Sequence, residues 1–562
     1  MAGLPAPKSP WPPEDDQPRY RAMKEASVWY AGDPDTIASF YGGGGKSVTT
    51  LKSAEGGGVI KEITRGVRDT FWGRGTPEGE ATKRLHIDIA RDIATISSEL
   101  LHADAPSIIV EGDRELADGQ QQGEEPRGPF IQAVREVQDR LDYLLDRIGW
   151  EALLLAAAET QSPLGSVALR LGWDDSVADF PFVTRIDGDA YVPEYTWGML
   201  TAVTFWRVVG KKDSTLWYHL ERHEKGAIWH ALYKGTHERL NERLRLEDHP
   251  ATAALISDKM VRDELGDRVL TPANVMTAQA IPNLLPDPMN RSSNTGRSDY
   301  SPAMYQLFDA LDEIYTSLMR DIDLAKGRLI VADYMLDTQE AGQGATFDKD
   351  RAIFSPLKMQ PSEDGEQPIT LVQFAIRVEE HIRAAEHIAS KIVKQAGYNP
   401  QTMGDTAEGE AAMTATEVNS RSSRSNLTRD KKIRYWANRL EDLIWALLQI
   451  DKELFGQSYS LENVRVRVRY PDSVQPDMLV LAQTVAAMKQ AEAASIKVRV
   501  ETLHPDWDEG QVEAEVEQLQ KESTVVDPTT FGLGGRPAPT VDTASNTPGA
   551  APAGPDTGVE GI

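Results

Sequence analysis

The sequence predicts an α+β protein that is mainly helical, because of two periodic patterns and its length. Three long segments carry apolar residues at steps of three and four, the spacing of one buried stripe on an α-helix; they are residues 301–326, 369–396 and 414–455. Between Gly165 and Tyr233 apolar residues recur at every second position, which predicts antiparallel strands. A chain of 562 residues is too long for one ordinary core, so we expect roughly two to four packed units.

The composition is strongly acidic, with a net charge of −27. Because neutralised phosphate supplies most non-specific affinity for nucleic acid, such a chain is a poor candidate for gripping it. An acidic surface would let DNA pass without binding to it. Alternatively, the negative charge simply keeps a large protein soluble. The absence of cysteine excludes disulfides, thiolate metal sites and cysteine nucleophiles. The sequence starts without an apolar signal segment, and no run of about 18 apolar residues predicts a membrane span.

The first part of the chain, to about residue 290, is predicted to be one α+β unit. Residues 1–20 are Pro-rich and predicted to be loose. Helices are predicted at residues 22–41 (in two parts), 84–102, 130–147 and 150–159, with a strand at 107–110. Strands follow at residues 166–171, 182–186, 191–195, 200–209, 215–221 and 227–233, and then a looser helical stretch to about Gly266.

Two motifs in this part suggest chemistry but do not fit it. The run GGGGKS at Gly42–Ser47 lacks the first glycine of a phosphate loop, since Phe40 stands there, so we expect a flexible loop. His219 and His223 have the spacing of a zinc-protease helix, but Leu220 replaces the required acid. Their segment alternates as a strand does, which separates residues four apart by about 13 Å. We therefore expect hydrogen-bonded or surface histidines and no bound metal.

A pair of long helices with a small tip between them is predicted next. Ser301 can cap the first helix, with Pro302 in its first turn. Its apolar stripe runs from Met304 to Ile322, with acids such as Asp309 and Asp312 largely away from it. The intervening residues 327–367 contain strand-like stretches at 328–332 and 352–354. Two such rods form a stalk whose apolar stripes need covering, within the chain or between chains.

The helix at 369–396 is followed by a loop and a still longer helix. Gly397 ends the first helix as a left-handed cap, and Thr414 with Glu417 starts the next as a capping box. The first half of the last helix carries a basic island, and its second half an apolar stripe from Trp436 to Leu454. One helix is therefore expected to pass from a polar, basic environment into an apolar core.

The remaining residues are predicted to form a strand, two helices and a tail. Residues 464–470 alternate strictly, as a strand with one basic face does. Helices are predicted at 477–493 and 507–522, the second opened by Asp506 and Glu509 as a capping box. Residues 527–562 are rich in Gly, Pro, Ala and Thr, which is typical of disorder.

The chain resembles the portal proteins of tailed bacteriophages, especially of siphoviruses that infect actinobacteria. The resemblance covers about residues 20–525 and rests on short motifs in a common order. They are RSDY, ALDEIYTSLMRDID and RLIV within Arg297–Val331, TATEV at Thr414–Val418, and HPDW with an acidic helix at His504–Glu522. Portal proteins are structural: they form a ring, usually of twelve copies, at one capsid vertex. DNA enters through this ring during packaging and leaves through it during ejection.

The resemblance implies a division of this chain into the parts of the portal fold. Residues 1–20 would be a loose N-terminus, 21–296 the wing, 297–326 and 369–396 the stem helices, and 327–368 the clip. Residues 397–413 would be the tunnel loop, 414–476 the long wing-to-crown helix with a wing strand, 477–525 the crown, and 526–562 a disordered tail. The implied partners are further copies in a ring, double-stranded DNA, the terminase motor, the head–tail adaptor, and the capsid and scaffolding proteins. The implied location is the virion, after assembly in the host cytoplasm, with no membrane.

Two groups of residues are the candidate sites. The tunnel-loop group, expected to face DNA, is Lys394, Asn399, Gln401, Thr402, Asp405, Thr406, Glu408 and Glu410. Its acids make a phosphate-gripping role for the loop doubtful. The basic island is Arg421, Arg424, Arg429, Lys431, Lys432 and Arg434. It is expected to pair with acids of a neighbouring subunit or to contact DNA phosphate, and plain solvent exposure is a third alternative.

Three functions are compatible with the sequence to different degrees. A ring-forming DNA conduit without catalysis or cofactor is the leading one. An ATPase or nuclease of the packaging machinery would need a phosphate loop or clustered acids, and steady ATP turnover would reveal it. A head-completion adaptor would be a far shorter chain.

Overall fold

The computed structural model describes most of the chain and divides it into two compact units. The units are Met1–Val474 and Gln475–Ile562. The described residues are 3–41, 85–112, 128–174, 176–256, 260–263, 266–271, 274–324, 328–332, 354–357, 370–372, 377–403, 415–471, 478–491, 493–504 and 509–523. The predicted phosphate-loop mimic at 42–47, the capping residues Thr414 and Asp506, and the predicted tail fall outside them.

The amino-terminal half mixes helices and strands, as predicted. Its helices are α1 (Gln17–Ala31), α2 (Pro34–Tyr41), α3 (Ile89–His102), α4 (Gly128–Ile148), α5 (Trp150–Leu164) and the short α6 (Pro250–Ala253). Its strands are β1 (Ser9–Pro10), β2 (Ser107–Gly112), β3 (Ser166–Gly172), β4 (Phe182–Asp187), β5 (Tyr191–Thr196), β6 (Met199–Lys212), β7 (Thr215–Glu224), β8 (Ala227–Gly235), β9 (Arg239–Leu244), β10 (Met260–Asp263), β11 (Gly266–Leu270) and β12 (Ala278–Pro282).

The strands form a large sheet against a small one. The large sheet has the order β1-β9-β8-β7-β6-β5, with β11 added to β8 and β10 to β11. The small sheet has the order β12-β3-β4. Tyr191, Val203 and Phe205 of the large sheet pack with Ala168 and Ala278 of the small one, while the N-terminal Trp11 packs with Val192 and Tyr218 on the opposite face. The prediction of a loose N-terminus is therefore wrong for the described residues 3–20, because β1 pairs with β9 and α1 begins at Gln17.

The looser helical stretch predicted after Tyr233 is confirmed only at a 3₁₀ turn, Leu246–Asp248, and at the short α6. For the rest the prediction is wrong, because three strands lie there: β9 and β11 each pair with part of β8, and β10 pairs with β11. The edge of β8 supplies hydrogen-bonding partners that a local sequence window cannot reveal, and pairing of this kind overrides weak local preference.

The paired long helices are α7 (Met304–Leu324) and α8 (Val378–Ala396). They run antiparallel, since Gln395 near the end of α8 bonds Ser301 before α7, and His381 near the start of α8 bonds Asp321 near the end of α7. Between them, β13 (Arg328–Ala332), β14 (Phe354–Leu357) and β15 (Thr370–Val372) form a sheet of order β14-β13-β15.

Two predictions about this pair need correction. The second helix does not begin at Ile369, because Leu371 lies in β15 and pairs with Leu329 of β13. The acids of α7 are also not all away from its apolar stripe: Asp309 and Asp312 are buried. Asp312 is satisfied there by the His86 ring at 2.9 Å and by the backbone N–H of Ile87 at 2.9 Å.

Helix α9 (Ala415–Leu454) spans 40 residues, which confirms the predicted long helix. Its second half, with Trp436, Leu440, Leu443 and Leu447 fully buried, packs in a core with α4, α5 and β3. The basic strand β16 (Val464–Arg469) is also confirmed and pairs antiparallel with β2. The prediction that this helix enters an apolar core is therefore confirmed.

The second unit contains α10 (Met478–Gln490), α11 (Ile496–Leu503) and α12 (Glu509–Ser523). The first and last agree with the predicted helices to within a few residues. Helix α11 was not predicted; Ser495 caps it by accepting from the Val498 amide at 3.3 Å. In the described part of the chain, no helix is both long and apolar enough to cross a bilayer.

Candidate functional site

The candidate site is centred on the segment Gly397–Met403, where α8 ends against α9. Gly397 adopts φ 102°, and its amide caps α8 through the carbonyl oxygens of Val393 and Lys394, as the sequence predicted. The Thr428 hydroxyl of α9 donates to the Gly397 carbonyl at 2.7 Å. The end of α8 is thereby fixed to the middle of α9.

The segment then continues as a 3₁₀ turn at Pro400–Met403. The Asn399 amide donates to the Ser425 hydroxyl of α9 at 2.9 Å, and the Thr402 and Ser425 hydroxyls are 3.0 Å apart. The Asn399 side chain accepts from the Gln401 amide at 3.3 Å. Three of the predicted loop residues therefore form an ordered base on α9.

A buried polar cluster lies directly beneath this base, centred on Asp299. The Asp299 carboxylate accepts from Ser162 at 2.7 Å, Asn283 at 2.9 Å, Tyr398 at 3.1 Å and the Lys432 ammonium at 2.7 Å. Its side chain is 0% exposed. One carboxylate thus joins α5, the chain after β12, the end of α8, and α9.

Lys432 completes this cluster from α9. Its ammonium also donates to the Ser97 hydroxyl of α3 at 2.7 Å and to Tyr398 at 2.9 Å. Burial lowers the pKa of Lys432, and the Asp299 carboxylate opposes that shift. Burial likewise raises the pKa of the Tyr398 hydroxyl well above its ordinary value. All three donors of the ammonium are used, as a buried ammonium requires.

Arg429 is the second inward-facing cation of the basic island. Its guanidinium donates to the carbonyl oxygens of Leu100 and Pro471, each at 2.7 Å, and its side chain is 7% exposed. The prediction that Arg429 and Lys432 face a neighbouring subunit or DNA is therefore corrected. Both are held inside the chain because their positions continue the inward face of α9 from Trp436.

The outward face of the same helix carries the other described cations of the island. Arg424, Lys431 and Arg434 are exposed, and Leu427 between them is 60% exposed. These positions are three or four residues apart, so they form one stripe along α9. Arg421 also lies in α9, with its side chain outside the described residues. We call Arg424, Lys431 and Arg434 the basic stripe.

The other predicted loop residues are only partly placed. Lys394 is exposed in the last turn of α8. Asp405, Thr406, Glu408 and Glu410 lie outside the described residues. Whether the loop faces DNA stays a prediction.

The histidines of β7 are buried and hydrogen-bonded, in a strand as predicted. His219 lies 3.2 Å from His230 with the rings stacked, and His223 contacts Thr277 at 2.7 Å and Glu221 at 2.8 Å. Burial lowers the pKa of His219 to about 3. Within the part of the chain that the structure describes, no group of three or more His, Cys, Asp or Glu side chains is arranged to hold a metal ion.

Comparison with known proteins gives one family. Residues 287–528 match the family described as "Phage portal protein, SPP1 Gp6-like". This segment contains α7 and α8 with their intervening strands, the loop base, α9 with the basic stripe, and α10 to α12. The resemblance to phage portal proteins is thereby confirmed over these residues, while the narrower likeness to actinobacterial siphoviruses stays a prediction.

Two solved structures are similar at low identity, both from gene transfer agent (GTA) particles. One is the virion of the native particle, 13% identical, with a TM-score of 0.38 and coverage of 75% of this chain and 91% of that chain. The other is the neck of the native particle, computed with C12 symmetry, 13% identical, with a TM-score of 0.35 and coverage of 83% and 97%. No curated protein sequence matches this chain.

Proposed function

We propose that this chain is the subunit of a portal ring, located at one vertex of a tailed-phage capsid, through which double-stranded DNA enters and leaves. The observation that carries the proposal is the family match, because it covers one continuous stretch that contains the paired helices, the loop base and the long helix. The matched family is structural, so we propose a conduit without catalysis.

Exposed apolar residues at one end of the helix pair support assembly from several copies. Met319 and Ile322 of α7 and Val378 and Ile382 of α8 are 38–43% exposed. Neighbouring copies in a ring would cover them, since a head-to-tail contact buries a different patch on each partner and can close on itself.

Successive segments of the chain would form the different parts of the portal subunit. We assign α7 and α8 to the stem, β13 to β15 with their connections to the clip that docks the terminase motor and then the head–tail adaptor, and α9 to the helix between wing and crown. The segment from Gly397 to Met413 would be the tunnel loop. The Asp299 cluster would set the position of that loop, because it ties the loop base to α9 and to the wing together.

The basic stripe would serve contact between subunits, with DNA phosphate as the alternative. Three cations on one exposed helical face can pair with the acids of a neighbour in a chain that has 87 acidic residues. The remaining excess of negative charge would repel DNA from the channel wall.

Native mass spectrometry with negative-stain microscopy tests the proposal, on the purified chain and on rings released from particles. We expect closed rings with a central hole. Steady ATP hydrolysis by the purified chain, or particles in which it forms no ring, would contradict the proposal.

A further inference from the structure

The β5–β6 hairpin of the wing ends in an exposed tryptophan. Trp197 is 100% exposed, and Met199 beside it is 67% exposed. Trp197 and Gly198 form a two-residue turn in which both φ angles are positive, at 51° and 81°. Such turns favour Asn-Gly, and a bulky residue at positive φ is strained. Nothing in the described fold stabilises this tryptophan, so its placement indicates a contact outside its own chain.

The same chain carries a pocket that suits an aromatic side chain. Its volume is about 310 Å³, at the small end of the range for ligand sites. Its apolar walls are rings and aliphatic groups of the N-terminal segment and the large sheet, including Pro5, Pro10, Trp11, Pro13 and Val192. Polar side chains complete the lining, two of them from the strands of the same hairpin, β5 and β6: Ser9, Glu14, Glu194 and Thr204. Flat apolar walls of this kind accommodate an indole ring.

The pocket also contains polar groups that have no partner. The Trp11 Nε1–H and the Ser9 hydroxyl are buried without a hydrogen-bond partner among the described residues, and Trp11 is only 3% exposed. Buried donors are normally satisfied. Both atoms are shielded by the residues around them, so only a shift of the pocket lining would expose them to the backbone carbonyl oxygens at the tip of an inserted turn.

The charges around the two features are complementary. The pocket rim carries Glu14, with Asp15 next to it, and both are exposed. The neighbouring β7–β8 turn places exposed Lys225 at the same end of the sheet as Trp197, since Ala202 pairs with Glu224. Opposite charges at the edge of an interface favour one orientation of the two partners, here with Lys225 of one copy near Glu14 and Asp15 of the next.

We infer that Trp197 of one copy inserts into the N-terminal pocket of the adjacent copy. Each copy contributes its tryptophan to one neighbour and its pocket to the other. Such head-to-tail contacts close into a ring when the rotation between neighbouring copies is a whole fraction of a turn. The inference rests on the proposed ring and names a contact that holds neighbouring wings together.

The absence of native cysteine permits a direct cross-linking test. Thr196→Cys places a thiol beside the intact tryptophan, and Glu14→Cys places one on the pocket rim. The double variant, treated with a short bis-maleimide, is expected to give a ladder of covalent multimers from isolated rings. Thr196→Cys with Met289→Cys, at a position 82% exposed and away from the pocket lining, is the matched control.

Trp197→Ala supplies the second measurement and spares the fold, because the side chain is fully exposed. We expect it to weaken self-association roughly 30-fold, as loss of a central tryptophan does, and to abolish the ladder. Rings whose cross-linking does not exceed the Met289 control would overturn this contact while leaving the ring intact. Failure of the unsubstituted chain to form rings, even in particles, would instead refute the proposed function and this contact with it.

Discussion

Replacing Lys432 with methionine tests the buried cluster that fixes the loop base. The substitution removes the ammonium but keeps a side chain of similar length, so the Asp299 carboxylate stays buried with three donors instead of four. Removing one partner of a buried ion pair costs about 3–5 kcal/mol. The remaining donors, from Ser162, Asn283 and Tyr398, favour the lower figure, so we expect a loss of about 3 kcal/mol.

This loss of unfolding free energy can be converted into a change in melting temperature. For the unit Met1–Val474, an unfolding entropy of about 2.1 cal/mol/K per residue amounts to about 1 kcal/mol per kelvin. Differential scanning calorimetry should therefore show this unit's transition about 3 °C lower. Lys431→Met, one residue away and exposed, is the control and should change the transition by less than about 0.5 °C.

A double-mutant cycle with Asp299→Asn completes this test. Each single variant leaves one buried charge without its partner, whereas the double variant leaves neither charge. The double variant should thus lose less than the sum of the singles, by roughly 1–3 kcal/mol. Additive effects, or a Lys432→Met shift below about 1 °C, would refute the view that this ion pair organises the cluster.

Three further predictions concern pH, the helix cap and the basic stripe. Burial lowers the pKa of His102 to about 3; the unfolded chain therefore binds the proton first, and stability present above about pH 6.5 should fall as the pH drops toward 3, by about 2 kcal/mol at pH 5 in calorimetry. Gly397→Ala, at φ 102°, should cost about 1–2 kcal/mol in the same assay. Replacing Arg424, Lys431 and Arg434 with glutamine should make isolated rings dissociate at lower salt in native mass spectrometry.

Each of these predictions has a matched control. His102→Gln should remove only the contribution of His102 to the loss of stability in acid, since His219 contributes in the same direction; an unchanged dependence would refute the role of His102. Gly397→Asn should lose less than Gly397→Ala, because asparagine tolerates positive φ; equal losses would contradict the cap argument. Lys211, Lys212 and Lys234, three exposed lysines of the large sheet, can be changed to glutamine together, which alters the net charge equally. Rings that survive loss of the basic stripe but bind DNA with a weaker salt dependence would favour the phosphate alternative.

Elements with strong local periodicity were predictable from the sequence. Strands β3 to β8 and helices α4, α7 and α9 agree with their predicted ranges within a few residues, because one face of each is buried and the period is unbroken. The glycine that ends α8 was also correct, since its conformation depends on residues next to it. The local signal fails where pairing is distant: Thr370–Val372 fit the helical period but form β15, which pairs with β13.

The candidate site was less predictable, since Asp299 and Lys432 are separated by 133 residues. A usable signal nevertheless existed in α9. Ser425, Thr428, Lys432 and Trp436 lie at steps of three and four, so Lys432 extends the apolar stripe toward the start of the helix. A charged residue in line with such a stripe points inward and requires a buried partner. The charge of Lys432 predicts a surface position, whereas its place in line with the stripe predicts the buried position that the structure has.

The central claim, a ring around a DNA channel, is tested most directly by cryo-electron microscopy of DNA-filled particles. The account predicts a rotationally symmetric ring at one vertex, with copies of α7 and α8 around an axis occupied by duplex density and Gly397–Met403 near that density. A vertex without this chain, or copies whose α7 and α8 pack so that no hole wide enough for a duplex is left, would contradict it.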